Sequence, residues 1–293
     1  MSNCRSPCRL LVISVPMPSP KNSIDYEAVR LYFDDAADGA SVAASYMAHG
    51  QDLPHGAVHY RFKVERQTIA DWLDAVPKSA TVLDVGCGAG AWTRIFADRY
   101  ARVIGIEGSS SMVEAARQQT RNAPNVEILA GDVRVDLPDR KFQLAFLGGL
   151  CMYLNDDDVV ALLSDLKHRV GGTGAIVLRE STVPRKRRVA TGDYQAVYRT
   201  VTDYHELFAR VGFSCLETRR NYGYTSMEIA IELVGARRRW LSFLPRQSRL
   251  LGAMTWWCLR LTSPVSFWAV PRALERINVA WPSLQNHFFR LTP

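Results

Sequence analysis

Val82-Leu83-Asp84-Val85-Gly86-Cys87-Gly88-Ala89-Gly90 joins an apolar run to a cluster of glycines. Glycines are needed where a chain turns sharply from strand to helix, and where a ligand must approach the backbone without meeting a side chain. Two acidic positions follow. Glu107 closes the apolar run Arg102–Ile106, and Asp132 follows Gly131 after Val126–Leu129. At the end of one strand a carboxylate can accept hydrogen bonds from ribose hydroxyls. At the end of the next it can accept one from an adenine amino group. The three segments gather on one side of a molecule only if they end parallel strands of one open sheet.

The rest of the pattern supplies that sheet. Strands are expected at Thr81–Val85, Arg102–Ile106, Val126–Leu129, Phe142–Leu147 and Gly174–Leu178. Helices are expected at Ala91–Tyr100, from a cap at Ser109, Ser110 or Ser111 to about Arg121, after Asn155 to about Val170, and at about Asp203–Val211. Asp156, Asp157 and Asp158 suit the positive first turn of the third of these. Strands alternating with crossover helices make a parallel sheet with helices on both faces. Phe213–Thr218 and Ser226–Val234, around Tyr222-Gly223-Tyr224, read as a closing hairpin. The expected fold is therefore α/β: a Rossmann-like, seven-stranded, mostly parallel sheet with an antiparallel last strand. Residues 1–25 read as a disordered leader rather than a secretory signal, because Pro16, Pro18 and Pro20 break a short apolar run. Residues 26–80 read as a helical cap, 81–236 as the cofactor-binding domain, and 237–293 as a helical tail.

With these motifs in order, the sequence resembles the class I S-adenosylmethionine-dependent methyltransferases over about residues 55–235. That family has the glycine loop after strand one, an acidic residue after strand two, an aspartate after strand three, and an antiparallel end to its sheet. The resemblance implies S-adenosylmethionine as cofactor. Gly86, Gly88 and Gly90 would pass its methionine part, and Asp84 would sit near its amino group. Glu107 with Gly108 would hold the ribose, and Asp132 with Val133 would frame the adenine. Leu147 and Gly148 would line the sulfonium, and Arg61 in His59-Tyr60-Arg61 would meet the carboxylate. A sulfonium methyl is already activated, so the protein must align a nucleophile and exclude water. A hydroxyl acceptor also needs a base; Glu180 and His59 are the preferred candidates. Tyr153, Arg179, Tyr194, Tyr198, Arg199 and His205 are candidates for the acceptor site, with His55 and Tyr60 from the cap. Tyr194 and Tyr198, four apart, would share a helix face. Gly148-Gly149-Leu150-Cys151-Met152-Tyr153 stands where some amino-group methyltransferases carry an Asn/Asp-Pro-Pro-aromatic signature, which disfavours nucleic-acid bases as acceptors. The expected acceptor is a small or lipid-linked molecule methylated on oxygen or nitrogen. Arg185-Lys186-Arg187-Arg188 offers a grip for phosphate or carboxylate. Two other readings stay open: a nicotinamide-dependent oxidoreductase, which lacks a Tyr-x-x-x-Lys pair here, and a binding protein that uses the fold without catalysis.

The 293 residues carry a net charge of +7, unevenly placed. From Arg237 onward there are nine arginines, no lysine and one acid, Glu275, which leaves the first 236 residues at −1. Five of the seven tryptophans lie in the same segment. Leu250, Met254, Trp257, Cys258 and Leu261 form an apolar stripe flanked by Arg249 and Arg260. Such a helix suits an anionic membrane surface, the catalytic body or a second subunit; nucleic acid ranks last. The six cysteines show no zinc-ligand spacing, no metal is expected, and a reduced cytoplasmic setting is the simplest, with membrane association open.

Overall fold

The computed structural model describes residues 23–38, 52–241 and 243–293. The expected leader, through residue 22, and residues 39–51 of the expected cap lie outside the described residues. Helices α1 (Tyr26–Asp38), α2 (His55–Thr68) and α3 (Ala70–Asp74) precede the sheet. Then come β1 (Thr81–Val85), α4 (Ala91–Ala97), β2 (Arg102–Glu107), α5 (Ser110–Thr120), β3 (Val126–Ala130), β4 (Leu144–Leu147), α6 (Asp156–Val170) and β5 (Ala175–Thr182). These run parallel in the order β3-β2-β1-β4-β5. All eight residues of β5 are buried, as expected of a strand covered on both faces. One face of the sheet packs Leu83, Ile104, Leu163 and Phe208. The other packs Trp72, Trp92, Phe96, Phe146 and Phe288. Ser109 caps α5 by accepting the Met112 N–H at 3.3 Å.

Beyond β5 the chain makes a small hairpin, β6 (Arg188–Ala190) with β7 (Ala196–Tyr198). Tyr194 and Tyr198 therefore sit on a hairpin, not on the helix expected for them, although their hydroxyls do meet, at 3.0 Å. Helix α7 (Val201–Val211) opens with a Thr200–Asp203 capping box and ends at Gly212. Strand β8 (Ser214–Arg220) follows.

The closing hairpin is built differently from the expectation. Residues 226–234 belong to a helix, α8 (Tyr222–Trp240), not to a strand. Asn221 starts it by accepting the Tyr224 N–H at 3.1 Å. The helix is buried continuously from Gly223 to Ala230, so its apolar residues show no single-faced period. At Gly223 a side chain would meet the Arg61 carbonyl at 2.6 Å; only glycine lets α8 cross α2 this closely.

After α8 come α9 (Arg249–Leu261), a short π-helical turn (Val265–Ala269), α10 (Val270–Arg276) and a last strand, β9 (Gln285–Thr292). Strand β9 lies between β5 and β8 and is antiparallel to both. It completes the seven-stranded sheet with one antiparallel strand, as expected in kind but supplied by residues 285–292. The sheet thus does not end at residue 236. The segment expected as a tail is an excursion of helices between β8 and β9, returning to bury Phe288, Phe289 and Leu291 in the core.

Candidate functional site

A cavity of about 1320 Å³ opens above the carboxyl ends of β1, β2, β4 and β5. Its first half is built from strand ends. Gly86, Gly88 and Gly90 all take positive φ, at 66°, 53° and 82°. Gly88 has no atom within 4 Å of the place where a side chain would project, so the loop leaves an open cradle there. The Gly86 and Cys87 N–H groups both donate to the Ile106 carbonyl, at 2.9 and 3.1 Å, which ties the loop to the end of β2.

Glu107 completes that tie. Its Oε2 accepts the Gly88 N–H at 2.9 Å, and its Oε1 accepts those of Gly108 and Ser109 at 2.9 and 3.0 Å. A carboxylate has about four acceptor sites, so one stays available to a ribose hydroxyl. Burial raises the Glu107 pKa, while the three N–H donors oppose that shift. Asp84 is buried beneath the loop and accepts the Thr93 hydroxyl at 2.6 Å. Burial pushes its carboxyl up to about 7.

Asp132 is reached at the cavity edge, but Arg134 already grips it, with Nη2 2.6 Å from Oδ2 and Nε 3.0 Å from Oδ1. The same guanidinium lies over the Tyr26 ring, 3.8 Å from its centre. This edge of the cavity is therefore closed by an α1–Arg134–Asp132 chain, which the sequence alone did not show.

Arg61 and Arg179 flank the other end of this half. Both share one buried carboxylate: Glu65 Oε1 lies 3.1 Å from Arg61 Nε and 3.5 Å from Arg179 Nη1. With Asp84 acting on Arg179 and Glu228 on Arg61, this end is a charged cluster that presents two guanidinium groups to the cavity, a chemistry able to bind a carboxylate. Arg179 also donates to the Gly148 carbonyl at 2.5 Å, which fixes the turn after β4. Gly148 and Val133 line the cavity; Leu147 and Gly90 do not, serving instead as core and loop. The glycine cradle, the braced Glu107 and the arginine pair all fit the cofactor that the sequence implies.

The second half is aromatic. Tyr32 and Phe33 of α1 meet Tyr194 and Tyr153 edge-on, with ring centres 5.1 and 5.0 Å apart. The Tyr194 hydroxyl lies 3.3 Å from that of Tyr153 and 3.0 Å from that of Tyr198. Tyr198, in turn, is covered by Arg188, 4.9 Å from its ring centre. Ser181, Tyr224, Glu228 and Asn286 line the wall beside β5. Glu228 was not singled out in the sequence because it lay in an expected strand. It is buried, with Tyr224 one turn before it as a hydrogen-bonding neighbour and Glu232 one turn after. Burial, then the Glu232 charge, push its carboxyl up to about 7.

Neither preferred base reaches the cavity. Glu180 alternates with Arg179 and Ser181 along β5 and so points to the opposite face. There it accepts the Cys151 N–H at 3.1 Å and the Tyr204 hydroxyl at 3.3 Å. His59 and His55 are exposed on α2, away from the cavity lining. Tyr60 packs instead on Trp256 and Phe267. Arg199 is fully buried and braces the turn after β4 by donating to the Cys151 and Leu154 carbonyls, at 2.5 and 2.7 Å. His205 is exposed and pairs with Thr218 at 2.9 Å. In the basic loop, Arg185 binds Asn278 and Arg187 binds Asp156. Among the described residues no group of three His, Cys, Asp or Glu side chains is placed to hold a metal ion.

Known proteins share part of this sequence and its fold. A family profile described as a methyltransferase domain matches residues 82–174, from within β1 to the residue before β5. The chain is 32% identical over 169 residues to trans-aconitate 2-methyltransferase of Azoarcus sp., an overlap of 52% of this chain and 65% of that one. It is 32% identical over 114 residues to demethylmenaquinone methyltransferase of Bacillus licheniformis, covering 37% and 48% of the two chains. The chain thus spans less than two thirds of the length of these curated relatives. Among solved structures, geranyl diphosphate C-methyltransferase from Streptomyces coelicolor superposes with a TM-score of 0.57 over 91% of this chain and 97% of that one; at 15% identity the two share a fold. In sequence over residues 82–174, in sheet order and in its strand-end cleft, this chain is similar to the class I S-adenosylmethionine-dependent methyltransferases.

Proposed function

We propose that the chain transfers a methyl group to oxygen or nitrogen of a small-molecule or lipid-linked acceptor held in the aromatic half of the cavity. The observation that carries this reading is the continuity of one cavity from the glycine loop to Tyr153, Tyr194 and Glu228. S-adenosylmethionine supplies an activated methyl when bound. The chain's residues then have three tasks. Asp84, Glu107 and the Gly86–Gly90 loop fix one end, and Arg61 with Arg179 supplies positive charge for a carboxylate. The rings of Tyr32, Phe33, Tyr153 and Tyr194 exclude water from an acceptor and orient it. Glu228, poised near neutrality, accepts the proton that an attacking hydroxyl or ammonium must lose.

The relatives act on unlike molecules by name, trans-aconitate and demethylmenaquinone among them, so acceptor identity must come from the chamber. A labelled-methyl assay against a cell extract, with products split into lipid, small-molecule, protein and nucleic-acid fractions, tests the proposal. Label in the lipid or small-molecule fraction is expected. Label confined to nucleic acid would overturn it. Calorimetric titration with S-adenosylmethionine and with a nicotinamide dinucleotide addresses the oxidoreductase reading; tighter binding of the dinucleotide would favour that reading.

A further inference from the structure

All but two of the exposed large apolar side chains among the described residues lie between Leu233 and Val279, in or beside the helices inserted before β9. Helix α9 shows why. Gly252, Trp256 and Leu259 form its inner face and are buried. Trp256 and Leu259 join Ala57 of α2, Ile229 and Ala230 of α8, and Phe267 in one apolar cluster. Leu250, Met254, Trp257 and Leu261 repeat on the opposite face and are 71%, 54%, 61% and 85% exposed. The helix is therefore seated on the body by one side and offers a second apolar side to the outside. Trp240 and Phe243, 75% and 81% exposed, extend that apolar surface just before α9.

We infer that the outer face of α9, with Trp240 and Phe243, docks the protein on an anionic lipid bilayer. Charge selects the occupant. The segment from Arg237 onward is +8 with a single acid; Arg237 and Arg238 share Asp52, Glu275 pairs with Arg220 and Arg290 lies on β9, which leaves Arg239, Arg246, Arg249, Arg260, Arg272 and Arg276 to give the inserted helices their positive charge. Two copies of so cationic a face repel each other, which disfavours a second copy of this chain. Nucleic acid would match the charge but leave Leu250, Met254, Leu261 and Phe243 in water. An anionic bilayer satisfies both features: arginines stay among the headgroups, while tryptophan, leucine and phenylalanine enter the acyl boundary. No helix among the described residues is long and apolar enough to cross a membrane, so this helix lies on the surface. The docking face is also joined to the cavity. Ile229 and Ala230 of α8 support Trp256, while the adjacent Glu228 and Ile231 line the cavity. Docking would bring the aromatic chamber near lipid-borne acceptors. That last consequence rests on the proposed methyl transfer; the docking does not.

The test is co-sedimentation of the full chain with vesicles of phosphatidylcholine alone or mixed with phosphatidylglycerol, without cofactor. The protein should pellet with the mixed vesicles and not with phosphatidylcholine, and raising salt should release it. Replacing two outer anchors together, Trp257→Ser with Leu261→Ser, should weaken binding by at least about tenfold. These side chains are exposed, so an unchanged circular-dichroism melt is expected and shows that folding is intact. Arg239→Gln and Arg249→Gln should each weaken binding on the order of fivefold. Three results would overturn the inference: no pelleting with anionic vesicles, equal pelleting with both lipids, or a double variant that pellets as the parent does. Light scattering that shows a dimer split by the double variant, without vesicle binding, would assign the face to self-association instead.

Discussion

The two halves of the cavity are made in different ways. The cofactor half is held by strand register: Val85 pairs with Ile106, and Ile106 with Leu129. Its polar groups are backbone N–H groups and carboxylates close in sequence to those strand ends. The acceptor half is assembled from α1, the turn after β4, the β6–β7 hairpin and α8, with α1 more than a hundred residues from the other three. Chemistry shared by many enzymes can be carried by a local motif on a rigid sheet, whereas chemistry particular to one acceptor is assembled from distant parts. Substitutions in the first half should therefore change cofactor binding, and those in the second should change turnover or acceptor affinity.

The largest expected effect tests the first half. Glu107→Ala removes the acceptor of three backbone N–H groups, two of them in the turn after β2 and one in the glycine loop. Each loss leaves a donor without its partner, at about 1–3 kcal/mol. Affinity for S-adenosylmethionine should fall by roughly a hundredfold or more, read by calorimetry. A fall of only a few fold would mean that the loop keeps its shape without the carboxylate.

Glu228→Gln tests the second half. The variant keeps size and hydrogen bonding but cannot take a proton. Turnover should drop on the order of a hundredfold, within the usual range for a general base, with cofactor affinity unchanged. The acidic limb of the parent's pH profile, set by a carboxyl near 7, should vanish in the variant. If cofactor affinity falls alongside turnover, Glu228 serves both halves and the division fails.

Asp84 gives the first half a pH signature. Its carboxyl titrates near 3.8 in an unfolded chain and near 7 in the folded one. Between those values the folded state holds a proton that the unfolded state lacks, so this group makes stability without ligand fall as pH rises across that window. Above about 7 the carboxylate is charged and attracts the cofactor's amino group. S-adenosylmethionine should therefore bind more tightly as pH rises through 7, by up to about tenfold. Asp84→Asn should flatten both dependences, read by thermal melts and by calorimetry at matched pH. A parent whose affinity is constant from pH 6 to 8 would contradict the placement of Asp84 beside a cation.

The same contrast explains what the sequence revealed. The parallel strands, the glycine loop, Glu107 and Asp132 were legible because β1, β2 and β3 are short apolar runs followed by turn residues. Strand β9 was not, because Phe288, Phe289 and Leu291 gain their strand character only between β5 and β8. The run Met227–Val234 partly alternates, which suggested a strand; burial by α2 and α9 on several sides makes a helix of it. Glu180 was preferred over Glu228 as base for a related reason. Its position at a strand end was readable, but the face it points to depends on the register of a strand that runs four residues further than expected.

The smallest effect expected in the acceptor half comes from Tyr194→Phe. The Tyr194 hydroxyl stands between those of Tyr153 and Tyr198. Burial and both neighbouring hydroxyls push its pKa upward, so it stays protonated and serves as a hydrogen-bond donor, not a base. The variant keeps the ring, and with it the edge contact to Tyr32, so the chamber should hold its shape. Losing one hydrogen bond of about 1 kcal/mol should raise the acceptor's KM a few fold and leave kcat and cofactor affinity as they were. If KM stays put and the melting temperature falls instead, the tyrosine chain holds the hairpin to α1 without touching the acceptor. Acceptor recognition would then rest on the wall formed by Ser181, Tyr224 and Asn286.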